Sequence, residues 1–136
     1  MLRTILGLFR SNRSQDPDAM DDYRLTYDWN GQTIDFSQWA DDDYGIYEYT
    51  SRDGYEFMFD LVWDGWRVKI RIVKQPSYEG REMDGESTHR LGLDVDDPYV
   101  CVKAALSPTN VPDALSWMVY WAEKTSTYIR YGTKFS

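Results

Sequence analysis

Apolar and polar residues alternate on both sides of Asp64-Gly65, and this pattern constrains the fold more than any other feature of the sequence. An alternation with a period of two predicts strands with one buried face, and Asp-Gly is typical of a two-residue hairpin turn. That turn predicts Trp63 opposite Trp66 and Asp60 opposite Lys69. The predicted buried face contains Phe57, Phe59, Leu61, Trp63, Trp66, Val68, Ile70 and Ile72.

A second turn signal extends this hairpin into a meander. Arg52-Asp53-Gly54 is typical of a three-residue loop whose glycine adopts a left-handed conformation in a bulge. It predicts a strand at residues 44–50, with Tyr49 opposite Phe57 and Tyr47 opposite Phe59. We also expect strands at residues 89–95 and 99–106, although residues 100–106 could instead be the start of a helix.

Asn30-Gly31 predicts a separate two-residue hairpin, with Tyr27 opposite Ile34. Leu25 and Phe36 form the next predicted pair on the same face.

The last part of the sequence has helical spacing. Asn110 or Thr109 can cap a helix at residues 111–130, which has Pro112 in its first turn and Gly132 just past its end. Its predicted apolar stripe contains Val111, Leu115, Met118, Val119, Ala122 and Ile129. The predicted fold class is therefore α+β: a twisted antiparallel β-meander of five to seven strands, with this helix packed on one face.

The first residues differ in charge from the rest of the chain. Residues 1–22 are expected to form a basic amphipathic leader and a polar linker, and residues 23–136 a single acidic domain. On a helical wheel the leader has one apolar and one basic side, which predicts docking on an anionic membrane or in a partner's groove. The docking residues would be Leu2, Arg3, Ile5, Leu6, Phe9 and Arg10. The alternatives are a frayed terminus and a short helix covering the domain's own sheet.

Charge and cysteine content narrow the functional classes. The net charge of −8 argues against nucleic-acid binding and favours a basic protein partner. With Cys101 as the only cysteine and His89 as the only histidine, an intramolecular disulfide is excluded and a four-ligand zinc site within one chain is disfavoured. We expect a cytoplasmic protein, with peripheral membrane contact through residues 1–14 as the alternative.

No residue pattern predicts catalysis, a cofactor or a bound metal. Cys101 is expected to be buried between two valines, and His89 has no evident catalytic partner. The aspartate clusters match no calcium-loop pattern and are therefore interpreted as solvated loops. Two of these loops form a predicted partner-binding set, Asp41, Asp42 and Asp43 with Asp94, Asp96 and Asp97.

Aromatic residues make up 16% of the chain, more than the predicted core needs. Exposed tryptophan and tyrosine are enriched at binding surfaces, and Trp29, Trp39 and Tyr78 are the candidates. The leading hypothesis is a small acidic interaction protein of the adaptor, inhibitor or chaperone type. The alternatives are a carbohydrate or small-ligand binder with Trp and Tyr platforms, and a metal-dependent enzyme that uses the aspartate clusters.

Overall fold

The computed structural model describes residues 2–4, 26–29 and 32–135. In these residues eight strands are followed by a long helix, and a short helix lies between the sixth and the seventh strand. The strands are β1 (Leu2–Thr4), β2 (Thr26–Trp29), β3 (Gln32–Asp35), β4 (Gly45–Thr50), β5 (Glu56–Trp63), β6 (Val68–Lys74), β7 (Arg90–Leu91) and β8 (Tyr99–Val100). The helices are α1 (Gly85–Thr88) and α2 (Val111–Tyr131), with 3-10 turns at Phe36–Gln38, Leu93–Val95 and Ala104–Leu106.

The main sheet has six strands in the order β1-β4-β5-β6-β8-β7, and β2 and β3 form a separate hairpin. Every neighbouring pair in the main sheet is antiparallel except β1 and β4, which run parallel. Helix α2 packs against β5 and β6. The predicted α+β class, an antiparallel sheet with a C-terminal helix, is confirmed.

Strands β4 and β5 pair as predicted. Tyr49 lies opposite Phe57, Tyr47 lies opposite Phe59, and Gly54 has a φ of +87° in the connecting loop. The β2–β3 hairpin also has the predicted register, with Tyr27 opposite Ile34.

The register of β5 against β6 differs from the prediction by two residues. Trp63 lies opposite Val68 and Asp60 lies opposite Arg71, so the predicted pairing of Trp63 with Trp66 is wrong. The turn has four residues instead of two, and the Asp64 amide closes it by donating to the Arg67 carbonyl at 3.1 Å. A shift of two preserves the face of every side chain, so the apolar face of both strands still points to the core.

The first described residues form a strand where a helical leader was predicted. Leu2 lies opposite Ile46 and Arg3 opposite Tyr47, which makes β1 an edge strand of the sheet. Leu2 and Arg3 are therefore part of a strand in this structure, whereas the helix was expected only on contact with a membrane or a partner, so the docking role of these residues stays a prediction. Ile5, Leu6, Phe9 and Arg10 lie outside the described residues.

Helix α2 begins and ends where the sequence predicts. The Asn110 side chain accepts a hydrogen bond from the Asp113 amide at 2.9 Å, and Gly132 ends the helix in a left-handed conformation. Every residue of the predicted apolar stripe is buried. Among the described residues, no helix has the length and apolar composition needed to cross a membrane.

Aromatic side chains join the helix to the sheet. Trp121 meets the rings of Phe57 and Phe59 edge-on, with both centroid distances 5.9 Å. Its Nε1 donates to the Thr88 carbonyl at 3.0 Å, so the indole is fixed at both its apolar and its polar side.

The strands predicted at residues 89–95 and 99–106 are much shorter. The second ends at Val100, ahead of the 3-10 turn at Ala104–Leu106, and left-handed residues limit the first. His89, Gly92 and Asp96 have φ values of 52°, 78° and 53°. The chain consequently forms the two-residue strands β7 and β8 separated by a 3-10 turn. Cys101 follows β8 and is exposed, so its predicted burial is wrong.

Candidate functional site

The two predicted aspartate clusters lie in loops, and their members have different environments. Asp41 and Asp42 are exposed, whereas Asp43 is half-buried. The Asp41 carbonyl accepts a hydrogen bond from the Val111 amide at 2.8 Å, which holds this loop at the start of α2. Neither Asp41 nor Asp42 forms an ion pair with another residue that the structure describes.

The second cluster is divided between solvent and the sheet. Asp94 and Asp96 are exposed, but Asp97 pairs with Arg71 at 3.0 Å and with Lys69 at 3.7 Å. Arg71 also pairs with Asp60 at 3.1 Å, and the hydrogen bond that Arg71 Nε donates to Asp97 is the main reason that the pKa of Arg71 is raised. Asp97 is therefore part of an ion-pair network on the sheet, which leaves Asp94 and Asp96 as the solvated members.

The predicted aromatic platforms are mostly covered. Tyr78 is buried and packs against Tyr128 at 6.0 Å between ring centroids, so it is not an exposed binding residue. Trp39 is half-buried against the core, with its ring 6.2 Å from that of Phe36. The side chain of Trp29 lies outside the described residues.

Exposed aromatic side chains occur instead at one end of the sheet. Tyr44 precedes β4 and is 40% exposed, while Trp63 and Trp66 in the β5–β6 turn are 47% and 51% exposed. Gly45 lies opposite Leu61, so the start of β4 and this turn are neighbours. We name the set Asp41, Asp42, Tyr44, Trp63 and Trp66 the acidic–aromatic end.

Sequence reasoning missed the two tryptophans because it assumed a two-residue turn. In that register both indoles belong to the buried face, whereas the four-residue turn places Trp66 within the turn and Trp63 at its base. The sequence did contain a signal for this exposure. Asp64, Gly65 and Arg67 surround Trp66, so the turn has no apolar residues of its own to cover the indole.

A cleft lies between α2 and the segment that follows β8, with a volume of about 470 Å³. Volumes of this size are typical of small-molecule sites. Its apolar walls come from Val100, Val102, Leu106, Trp117, Tyr120 and Trp121. We name it the apolar cleft.

The aromatic side chains that line the apolar cleft differ in the contacts that hold them in place. Trp117 and Tyr120 meet at right angles with their ring centroids 6.0 Å apart, and at one end the rings of His89 and Phe135 stack at 4.5 Å. Trp121 is held by its hydrogen bond to Thr88. The Trp117 Nε1 is buried and has no hydrogen-bond partner among the described residues.

The polar residues of the cleft are His89, Cys101 and Lys103. Burial lowers the pKa of His89, which favours the neutral imidazole at neutral pH. Lys103 is exposed and forms no ion pair within the described part of the chain, and no carboxylate among the described residues lines the cleft. Lys103 therefore supplies the single formal charge of the lining.

One buried carboxylate lies outside both surfaces. Glu123 of α2 accepts hydrogen bonds from the Tyr49 hydroxyl at 2.5 Å and from the Arg52 amide at 3.1 Å, and it pairs with Arg52 Nε at 3.2 Å. Burial raises the pKa of Glu123, and the bonds from Tyr49 and Arg52 partly oppose that shift. These contacts attach the β4–β5 loop to the helix, which is a structural role.

In the residues that the structure describes, no three His, Cys, Asp or Glu side chains are placed to share a metal ion. The aspartate loops therefore provide no described ligand set for the metal-dependent alternative.

Comparison with known proteins gives no relative from which a function could be transferred. No family model matches the sequence, and neither a curated protein nor a solved structure is significantly similar to it.

Proposed function

We propose that this protein is a small non-enzymatic interaction module that binds a basic protein partner through its acidic–aromatic end. The observation that carries the proposal is the exposure of Trp63 and Trp66, about half of each side chain, at the end of the sheet that also carries Asp41 and Asp42, which form no ion pair with any described residue. The single cysteine and the acidic composition support a cytoplasmic setting for this encounter.

Exposed tryptophan is a favourable anchor for a protein partner. Tryptophan is enriched among the interface residues whose truncation costs about 2 kcal/mol or more. About half of each of Trp63 and Trp66 is exposed to solvent. Burial of this apolar surface against a partner would contribute favourable free energy to binding.

The charges of this end favour cationic groups on the partner. Asp41 and Asp42 lie in the loop that leads into β4, and the protein as a whole has a net charge of −8. Within the molecule, the guanidinium of Arg67 already lies over the Trp66 ring at 4.7 Å from its centroid. A partner's arginine or lysine could contact the Trp63 ring in the same way.

A photocrosslinking amino acid at position 66 tests the proposal in cells that produce the protein. We expect a discrete adduct with one basic protein, and we expect Asp41→Asn with Asp42→Asn to reduce its yield. The matched control carries the crosslinker at Tyr131, which is 62% exposed at the far end of α2, about 30 Å from the helix start.

The same adduct from both positions, or none from position 66, would contradict the proposed surface. Binding of the purified partner should weaken as salt increases, because an acidic surface and a basic one attract through screened charges. Binding that is unaffected by salt but competed by a sugar would favour the carbohydrate alternative instead.

A further inference from the structure

We propose that the apolar cleft is a second, separate binding site, and that it takes a compact aromatic monoanion such as an aromatic carboxylate. Aliphatic and indole side chains line the cleft, and Lys103 is the only formally charged residue of its lining in the part of the chain that the structure describes.

The shape of the cleft favours a flat, rigid ligand. Trp117 and Tyr120 are perpendicular, so a planar ring can stack on one of them while its edge meets the other. Trp121 cannot turn away from the cleft without losing its bond to Thr88, and it therefore gives the site a fixed wall.

The charge of the cleft favours an anion, although the protein is acidic overall. At physiological ionic strength, exposed charges more than about 8 Å apart are largely screened, so the nearest charge has the greatest weight. Lys103 lines the cleft itself, whereas no carboxylate among the described residues does. A carboxylate at this position would gain a charge-assisted hydrogen bond.

Trp117 supplies an independent argument for an acceptor on the ligand. Its Nε1 is buried without a hydrogen-bond partner in the described part of the chain, and such a group raises the free energy of the ligand-free state. A modest turn of the ring toward the cleft would give this donor an acceptor on the ligand.

Two matched fluorescent probes test the proposal: the anion 1-anilinonaphthalene-8-sulfonate and its uncharged analogue N-phenyl-1-naphthylamine. We expect one equivalent of the anion to bind the folded protein. Lys103→Gln should weaken the anion about five- to tenfold and leave the neutral probe within about twofold, because it removes only the charged contact. The matched control is Lys74→Gln, which removes an exposed lysine on β6 and should change neither affinity.

The protein's only thiol reports where the probe binds. Cys101 is exposed and lines the cleft, so a saturating amount of the anion should slow its alkylation by iodoacetamide at least fivefold. Leu106→Glu, which places a carboxylate at an exposed lining position, should abolish both anion binding and protection while the protein still unfolds cooperatively. Equal losses in Lys103→Gln and Lys74→Gln, or alkylation at an unchanged rate, would overturn the proposal.

Discussion

Phe59 has no exposed surface and lies where the sheet meets α2. Its ring is 6.0 Å from Phe57 and 5.9 Å from Trp121, and Tyr47 faces it across the strand pair. We expect Phe59→Ala to lower the free energy of unfolding by about 3–5 kcal/mol, since it leaves a cavity among side chains that cannot easily collapse. Equilibrium urea unfolding measures this change.

Trp63 is the matched control, because it lies on the same strand and the same face but is 47% exposed. We expect Trp63→Ala to cost less than about 1 kcal/mol. Equal losses for the two variants would contradict the observed register, in which the turn lifts Trp63 out of the core.

Glu123 makes stability depend on pH. Its folded-state pKa is raised above the ordinary value of 4.5, chiefly by burial, so the folded protein retains a proton that the unfolded chain has already lost. This contribution to stability is fully present below the unfolded-state pKa and is lost as the pH rises through the folded-state pKa.

We expect the difference in unfolding free energy between the unmodified protein and Glu123→Gln to fall as the pH rises above the ordinary glutamate pKa of 4.5. Glutamine is the suitable substitution because it can still accept hydrogen bonds from Tyr49 and Arg52 but does not titrate. A difference that stays level or increases over this range would show that ionised Glu123 is the preferred folded form.

Asp97 and Asp94 provide a contrast within one loop. Asp97 bridges Arg71 and Lys69, whereas Asp94 is exposed. We expect Asp97→Asn to cost about 0.5–1 kcal/mol, because its ion pairs are partly exposed, and Asp94→Asn to change stability by less than about 0.5 kcal/mol. Thermal melts of both variants at low and high salt measure the effect, and losses of equal size would contradict the assigned roles.

At the scale of elements, two glycines with similar backbone angles differ in their surroundings. A Cβ on Gly54 would meet nothing within 4 Å, whereas a Cβ on Gly92 would lie 2.2 Å from the Asp97 carbonyl oxygen. The amide of Asp97 also donates to the Gly92 carbonyl at 3.0 Å, so the two residues close a tight loop between β7 and β8.

We therefore expect Gly54→Ala to cost only the left-handed backbone strain, about 1–2 kcal/mol. Gly92→Ala should cost clearly more, because the backbone of the β7–β8 loop must move as well. Chemical denaturation of the two variants under the same conditions compares them. A smaller loss for Gly92→Ala would mean that the loop can open without affecting β8.

Elements with strong local signals could be predicted from the sequence, and elements set by tertiary contacts could not. The caps at Asn110 and Gly132 and the loop at Arg52-Asp53-Gly54 involve only nearby residues, and all three were predicted correctly. The β5–β6 register was predicted two residues away because Asp64-Gly65 suits both a two- and a four-residue turn. A shift by an even number of residues leaves each side chain on the same face of the sheet. The predicted buried face was therefore correct, although the predicted residue pairs were not.

The candidate surfaces were less predictable than the fold. The exposure of Trp63 and Trp66 follows from the length of one turn, and the apolar cleft forms only when the segment after β8 meets α2. Trp117 and Trp121 lie beside the predicted apolar stripe of the helix, and helical spacing does not distinguish a buried core side chain from the wall of a cleft.

At the scale of the whole molecule, β1 protects an edge of the sheet. Without its three residues, β4 would present an unpaired edge to solvent. We expect deletion of residues 1–4 to lower the melting temperature by about 3–5 °C, equivalent to roughly 1 kcal/mol for a domain of this size. We also expect increased self-association, which analytical ultracentrifugation would detect.

Arg3→Pro tests the strand without shortening the chain, because proline removes a backbone donor from the ladder. Like the deletion, Arg3→Pro should lower the melting temperature, whereas Arg3→Ala should leave it unchanged. If neither the deletion nor Arg3→Pro changes the melting temperature, β1 contributes nothing to the fold.

Helix α2 covers the aromatic face of the sheet, yet it is made after every described strand. While a ribosome is still adding residues 111–131, Phe57 and Phe59 have no Trp121 to pack against. The nascent chain must therefore carry an uncovered aromatic surface until α2 has left the exit tunnel. A chain truncated before residue 111 would keep that surface uncovered and would aggregate or be degraded.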